Sequence, residues 1–404
     1  MKLNRKITTW FIGILLGLLV LWGLWYWYTH RSPTQTNGSA DNLPRTTIDS
    51  GMVGGTVRNP TETGGAEDAV PNEPVLFQIH DKPILSAVTL LKKEGPTVRF
   101  MEQGSGNVFD YNFANKQKIR VSNTSIPQIG AATWSADGHV VAFQYLDGDS
   151  VHTAVGLLAS TTIADQPFDR IYFFPEGIRS IALSPDGKKL AYISNTSGVG
   201  SLIISNADGS SPKVFFTSPL QHWHITWPSS DYLILSSSYG EEGGISYRVD
   251  VRTGALVTIL TSRKVFEGVL GNPEGQFAAP SAENSAIALY DQKFGTFSKL
   301  IEPTWLDKCS WVTGATSTLL CAIVPRTAFN NRVTWTRGEF TSNDILVAAN
   351  FGGGFTQIII PEDAYGDRAF DMENVLASPD KKYAVFKNRT DGLLWGVNIP
   401  SGIE

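Results

Sequence analysis

Leu183-Ser184-Pro185-Asp186-Gly187-Lys188-Lys189-Leu190-Ala191-Tyr192-Ile193 decides the fold, because variants of it recur along the chain. Pro suits the second position of a type I turn, and Asp accepts local backbone hydrogen bonds. Gly takes the left-handed conformation that joins the turn to the next strand. That strand alternates and then runs apolar, as a strand packed on both faces does. Close copies are Trp134-Ser135-Ala136-Asp137-Gly138-His139-Val140-Val141-Ala142-Phe143 and Ser378-Pro379-Asp380-Lys381-Lys382-Tyr383-Ala384-Val385-Phe386. Weaker ones span 92–100, 227–235, 272–278 and 311–321. The turn Gly or its equivalent stands at 95, 138, 187, 231 and 275, at intervals of 43, 49, 44 and 44. That is the period of four-stranded β-propeller blades. At Lys381 the Gly is missing, which predicts a turn of a different shape. An aromatic or Leu before the turn (Trp134, Leu183, Trp227, Trp311) is suited to fill the gap between neighbouring blades.

The phrases at 134, 183 and 378 resemble the TolB-like or PD40 propeller repeat of bacteria. Its outline is a Trp or Leu, then Ser-Pro-Asp-Gly-Lys, then a short apolar strand. Asn206-Ala207-Asp208-Gly209-Ser210 resembles that family's second turn, between the third and fourth strands of a blade. The resemblance spans roughly residues 80–400. It implies an all-β propeller with structural turn roles for Asp137, Gly138, Asp186, Gly187, Asp208, Gly209 and Asp380, and it carries no catalytic chemistry over.

Counting gives seven blades, with six or eight as alternatives because blade one is the least regular. The predicted blades end near residues 126, 175, 222, 263, 303 and 366, and blade seven retains only three strands before the chain stops. An open edge needs a fourth strand. The lone strand Val75-Leu76-Phe77-Gln78-Ile79 is predicted to supply it and close the ring, making 75–404 the propeller.

The stretch 10–28 contains no charge and follows Lys2, Arg5 and Lys6. As a helix it measures about 29 Å, enough to cross a bilayer core. Basic residues before it and aromatic residues at its far end predict a signal anchor with residues 1–9 in the cytoplasm and the propeller outside. Cleavage near Gly38-Ser39-Ala40 is the alternative, but that site lies far beyond the apolar stretch. Gly13 and Gly17 form a GxxxG pair, the pattern of a weak helix-mediated dimer. Residues 29–74 are rich in Thr, Asn, Gly and Pro and read as a flexible linker.

Of 404 residues, 33 are Lys or Arg and 38 are Asp or Glu, a net charge of −5 spread along the chain. No basic stripe points to nucleic acid. No Gly-x-Ser-x-Gly elbow and no Walker or Rossmann glycine pattern occurs, and no cofactor is implied. His222 and His224 share one face of a strand, without a recognisable third metal ligand. Asp147-Gly148-Asp149 reads as half a calcium loop or a solvated hairpin turn. Cys309 and Cys321 are the only cysteines. They flank a turn symmetrically, which suits a disulfide in an extracytoplasmic protein; two buried thiols are the alternative.

Blade six departs from the repeat through an insertion at 325–343. Arg332, Trp335, Arg337 and Phe340 are residue types that anchor interfaces. The competing reading is an extra hairpin packed on the blade edge. The longer second-to-third-strand loops near 145–152, 195–200 and 239–244 are further candidates. Two functions follow. One is a membrane-tethered, extracytoplasmic binding module for a protein or cell-envelope partner, the direction in which the resemblance to TolB-like proteins leans. The other is an envelope enzyme acting on glycans or peptides with carboxylates at the channel.

Overall fold

The computed structural model describes residues 75–403, except 160–164, 196–197, 239–242, 263–267, 281–285, 293, 299–303, 316, 326–331, 353–354, 361–367 and 400. The anchor at 10–28 and the linker at 29–74 lie outside the described residues. Among the described residues no helix is long and apolar enough to cross a membrane.

The turn phrases organise seven antiparallel sheets of four strands each. Blade three shows how one is made. Ile178–Leu183 leads into the Ser184–Gly187 turn, Lys189–Ser194 returns, and Gly200–Asn206 and Lys213–Ser218 complete the sheet in sequence order. Blades one, two, four, five and six repeat this order. Blade seven differs: Met372–Ala377, Tyr383–Asn388 and Leu394–Asn398 come from the end of the chain, and Leu76–Gln78 adds the fourth strand. Leu76 stands opposite Val397, and Gln78 opposite Trp395. Both ends of the propeller therefore share one sheet, and the ring has no unpaired start.

The core consists of the seams between blades. Trp227 fills the seam between blades three and four with Ala182, Leu202 and Leu233. Leu183 occupies the seam between blades two and three with Val155 and Leu190. First strands of neighbouring blades touch each other and line the centre.

The turns explain the repeated Asp and Gly. Ser184 Oγ donates to Asp186 Oδ1 at 2.7 Å, Lys188 N–H donates to the same oxygen at 3.2 Å, and Gly187 has φ 68°. A Cβ on Gly187 would lie 2.9 Å from Val140 Cγ2 in blade two, so the position also serves close blade packing. The turn at 378–382 corrects an expectation. Lys381 adopts φ 62°, its N–H donates to Ser378 O at 2.8 Å, and Ser378 Oγ donates to Asp380 at 2.5 Å. The shape is that of the Gly turns, because the Ser–Asp hydrogen bonds and neighbouring backbone hold a non-Gly residue in the left-handed region.

Candidate functional site

An antiparallel blade sorts its connections onto two faces. First-to-second and third-to-fourth turns share one, the turn face. Second-to-third loops and links between blades share the other, the loop face.

On the turn face, Asp137, Asp186, Asp208 and Asp380 all cap their own turns. Hydrogen bonds from Ser184 and Lys188 N–H hold the Asp186 carboxyl below the usual carboxylate range, and those from Ser210 do the same for Asp208. A cavity of about 950 Å³ runs along blades one and two and reaches the first turn of blade six and the first strand of blade seven. Lys92, Glu94, Arg99, Asp110, Asp137 and His139 line it. Arg99 makes a two-pronged pair with Asp110 through Nε at 2.8 Å and Nη2 at 2.9 Å. Arg99 Nη1 also donates to Gly138 O at 2.8 Å, and Lys92 pairs with Asp110. Burial alone raises the pKa of Asp110, but the hydrogen bonds and charges of Arg99 and Lys92 outweigh it and hold the carboxyl low.

The loop face carries the departures from the repeat. The blade-two hairpin ends in the turn Asp147–Ser150, with Gly148 at φ 59°, so Asp147-Gly148-Asp149 is a solvated hairpin tip. Leu146 and Val151 are exposed beside it. His222 and His224 are both exposed, alternating with buried Trp223 and Ile225. Among the described residues no three His, Cys, Asp or Glu side chains gather as metal ligands. Near the ring closure, buried His80 Nε2 lies 2.9 Å from Glu102 Oε2, and Lys82 and Ser105 also reach Glu102.

The described part of the blade-six insertion is a short helix, Arg332–Thr336, rather than a hairpin. Trp335 is only 4% exposed. Its ring lies 4.8 Å from that of Trp305, with Val324 and Phe340 packed alongside. Its indole N–H donates to Asp371 at 2.8 Å. Arg332 pairs with Asp307 at 2.6 Å, and the Arg389 guanidinium lies 4.1 Å from the centre of the Trp335 ring. The four interface candidates therefore do not form one exposed set: Trp335 is a buried plug, Phe340 and Arg332 are half-buried, and Arg337 is exposed. A buried indole needs an acceptor, and Asp371 supplies it. Val333, 55% exposed, is the apolar residue that the helix presents outward.

Beneath the plug is a cluster that sequence reasoning missed. Lys308 has no exposed surface, and its Nζ donates to Asp344 Oδ2 at 2.6 Å, Asp371 Oδ1 at 2.7 Å, Met372 O at 3.0 Å and Ser342 Oγ at 3.1 Å. Burial pushes Asp344 up to about 6, against the pull of Lys308. Among the described residues Asp344 Oδ1 is buried without a hydrogen-bond partner. The available signal was a lysine set between buried residues in the phrase Trp305-Leu306-Asp307-Lys308-Cys309. Beside it, Cys309 and Cys321 stand opposite each other in register and are joined by a disulfide.

No protein-family model matches the chain, and no curated protein matches it in sequence. Solved structures do resemble it. An oligogalacturonate lyase from Vibrio parahaemolyticus has a TM-score of 0.55 at 11% identity, over 81% of this chain and 94% of that one. A prolyl endopeptidase has a TM-score of 0.52 at 11% identity, over 80% of this chain and 51% of that one. TolB from Acinetobacter baumannii has a TM-score of 0.42 at 13% identity, over 80% of this chain and 64% of that one. At such identities the likeness concerns the fold alone: a seven-bladed β-propeller, which proteins of unlike function share.

Proposed function

We propose that this chain is a membrane-tethered, extracytoplasmic binding module. In this reading residues 10–28 anchor it with a cytoplasmic N-terminus, residues 29–74 are the tether, and the loop face meets a protein or another cell-envelope component. The observation that carries the reading is the state of Asp110, the buried carboxylate of the cavity. Asp110 is committed to Arg99 and Lys92 and held ionised, which suits a scaffold and not a general acid. The loop face, by contrast, presents Leu146, Val151, Val333 and Arg337 outward. Exposed apolar residues beside arginine are the composition of an interface. The alternative, an envelope enzyme acting on glycans or peptides, draws on the cavity at blades one and two.

Photo-crosslinking residues at Val333 and Arg337 should each give the same discrete adduct in cells. The same residue at Val214, exposed on an outer strand, should not. Equal adducts at all three positions, or none, would overturn the loop-face reading. Membrane fractions should retain residues 1–28; a soluble product beginning near Asp41 would overturn the tether.

A further inference from the structure

The Lys308 cluster is more enclosed than an ion pair requires. Lys308 and Asp344 are 0% exposed and Asp371 is 2% exposed. Three charged groups share this pocket, one cation against two carboxylates. Charges without access to water are costly, and a neutral amide costs less. The two carboxylates are also unequal. Asp371 accepts from Lys308, Trp335 and Ser342, and its own N–H donates to Asn388 Oδ1. Asp344 accepts on Oδ2 from Lys308 and from Met372 N–H, Ser342 also acts on its carboxyl, and among the described residues Oδ1 has no partner. With the nitrogen 2.6 Å from Asp344 Oδ2, the carboxyl carbon lies less than about 4 Å from it, close to the separation at which such groups react.

We propose that Lys308 and Asp344 join in an intramolecular amide bond, with Asp371 relaying the protons. Lys308 Nζ passes one proton to Asp371, 2.7 Å away, and becomes a nucleophile. It attacks the Asp344 carboxyl carbon, forming the N–C bond. Asp371 then returns that proton and a second from the nitrogen to one Asp344 oxygen, whose C–O bond breaks to release water. Two of the three ammonium protons leave with that oxygen, the third stays on the amide, and Asp371 ends as it began. No oxidant or metal is involved. The raised pKa of Asp344 favours placing the first of these two protons on its oxygen, so that hydroxide and not oxide is expelled, and the second completes the water. Trp335 and Ser342 hold Asp371 in line, so the insertion helix positions the relay and seals it from solvent. The bond links the entry of the first blade-six strand to the entry of the third, next to the disulfide.

The test uses the full chain, denatured, reduced and digested with trypsin. Free Lys308 is a cleavage site; amidated Lys308 is not. Because Arg326, Arg332 and Arg337 lie between the partners, an amide gives a branched peptide containing Lys308 and Asp344. Its mass should be lower than the sum of its two arms by one water, about 18 Da. In Asp371→Asn, shown to be folded by its circular dichroism, the branched peptide should fall at least tenfold. Cleavage after Lys308 and an unmodified Asp344 peptide in the wild-type chain would overturn the proposal, leaving a buried ion pair. An undiminished branched peptide in Asp371→Asn would overturn the relay.

Discussion

The two faces of the propeller use charge in opposite ways. On the turn face, Arg99 and Lys92 surround one carboxylate, Asp110, and hold its pKa down. On the loop face, one cation, Lys308, faces Asp344 and Asp371, and burial pushes Asp344 up to about 6. Both clusters centre on buried carboxylates paired with cations. At Asp110 two cations outweigh burial, whereas at Asp344 the single cation does not. The turn-face cluster sits within repeating blades. The loop-face cluster exists only where the repeat is interrupted, because Trp335 from the insertion completes it.

The comparison breaks most visibly at the cations. Lys308→Met leaves two buried carboxylates without a counter-ion and should cost about 3–5 kcal/mol in denaturant unfolding. Arg99→Met should cost less, about 1–3 kcal/mol, because half-buried Lys92 still neutralises Asp110. A loss for Arg99→Met as large as for Lys308→Met would erase the distinction. Acid sharpens it. The folded pKa of Asp110 lies below its ordinary 3.8, so its stabilisation is present above that value and is lost as pH falls through the folded pKa. Wild type should therefore lose more thermal stability than Arg99→Met between pH 6 and pH 3. An unlinked Asp344 has the opposite sign: its contribution is present below 3.8 and is lost as pH rises through about 6. Once linked to Lys308 it does not titrate. The gap in melting temperature between wild type and Asp344→Ala should then stay constant from pH 4 to pH 7, and a gap that narrows with rising pH would mark a free acid.

The faces also differ in how far they were legible. The turn face is written locally: Ser184, Asp186 and Gly187 make their bonds within a few residues, so the phrase alone predicts blade and seam. The closing strand Leu76–Gln78 could be read because the last blade was one strand short. The loop-face cluster unites residues 308, 344 and 371, which no local pattern connects. Trp335 misled for a related reason. An interface anchor and a buried plug have the same composition, and only Asp371, 36 residues away, makes it a plug.

The smallest effects test the turn face itself. Gly187→Ala should cost about 1–2 kcal/mol for its left-handed backbone alone. The new Cβ, 2.9 Å from Val140 Cγ2, should add to that by wedging blades two and three apart. Lys381 is the natural counterpart, a non-Gly residue at φ 62° in the same kind of turn. Lys381→Gly relieves that backbone, and the bonds from Lys381 N–H to Ser378 O and from Ile403 N–H to Lys381 O need no side chain. Greater freedom of glycine in the unfolded chain offsets part of the gain, leaving about 0.5–1 kcal/mol of added stability. A higher melting temperature for Lys381→Gly, beside a lower one for Gly187→Ala, is the expected pair. A loss in both would mean that the Lys381 side chain contributes packing that its backbone cost conceals, and that the seven turns are not interchangeable parts.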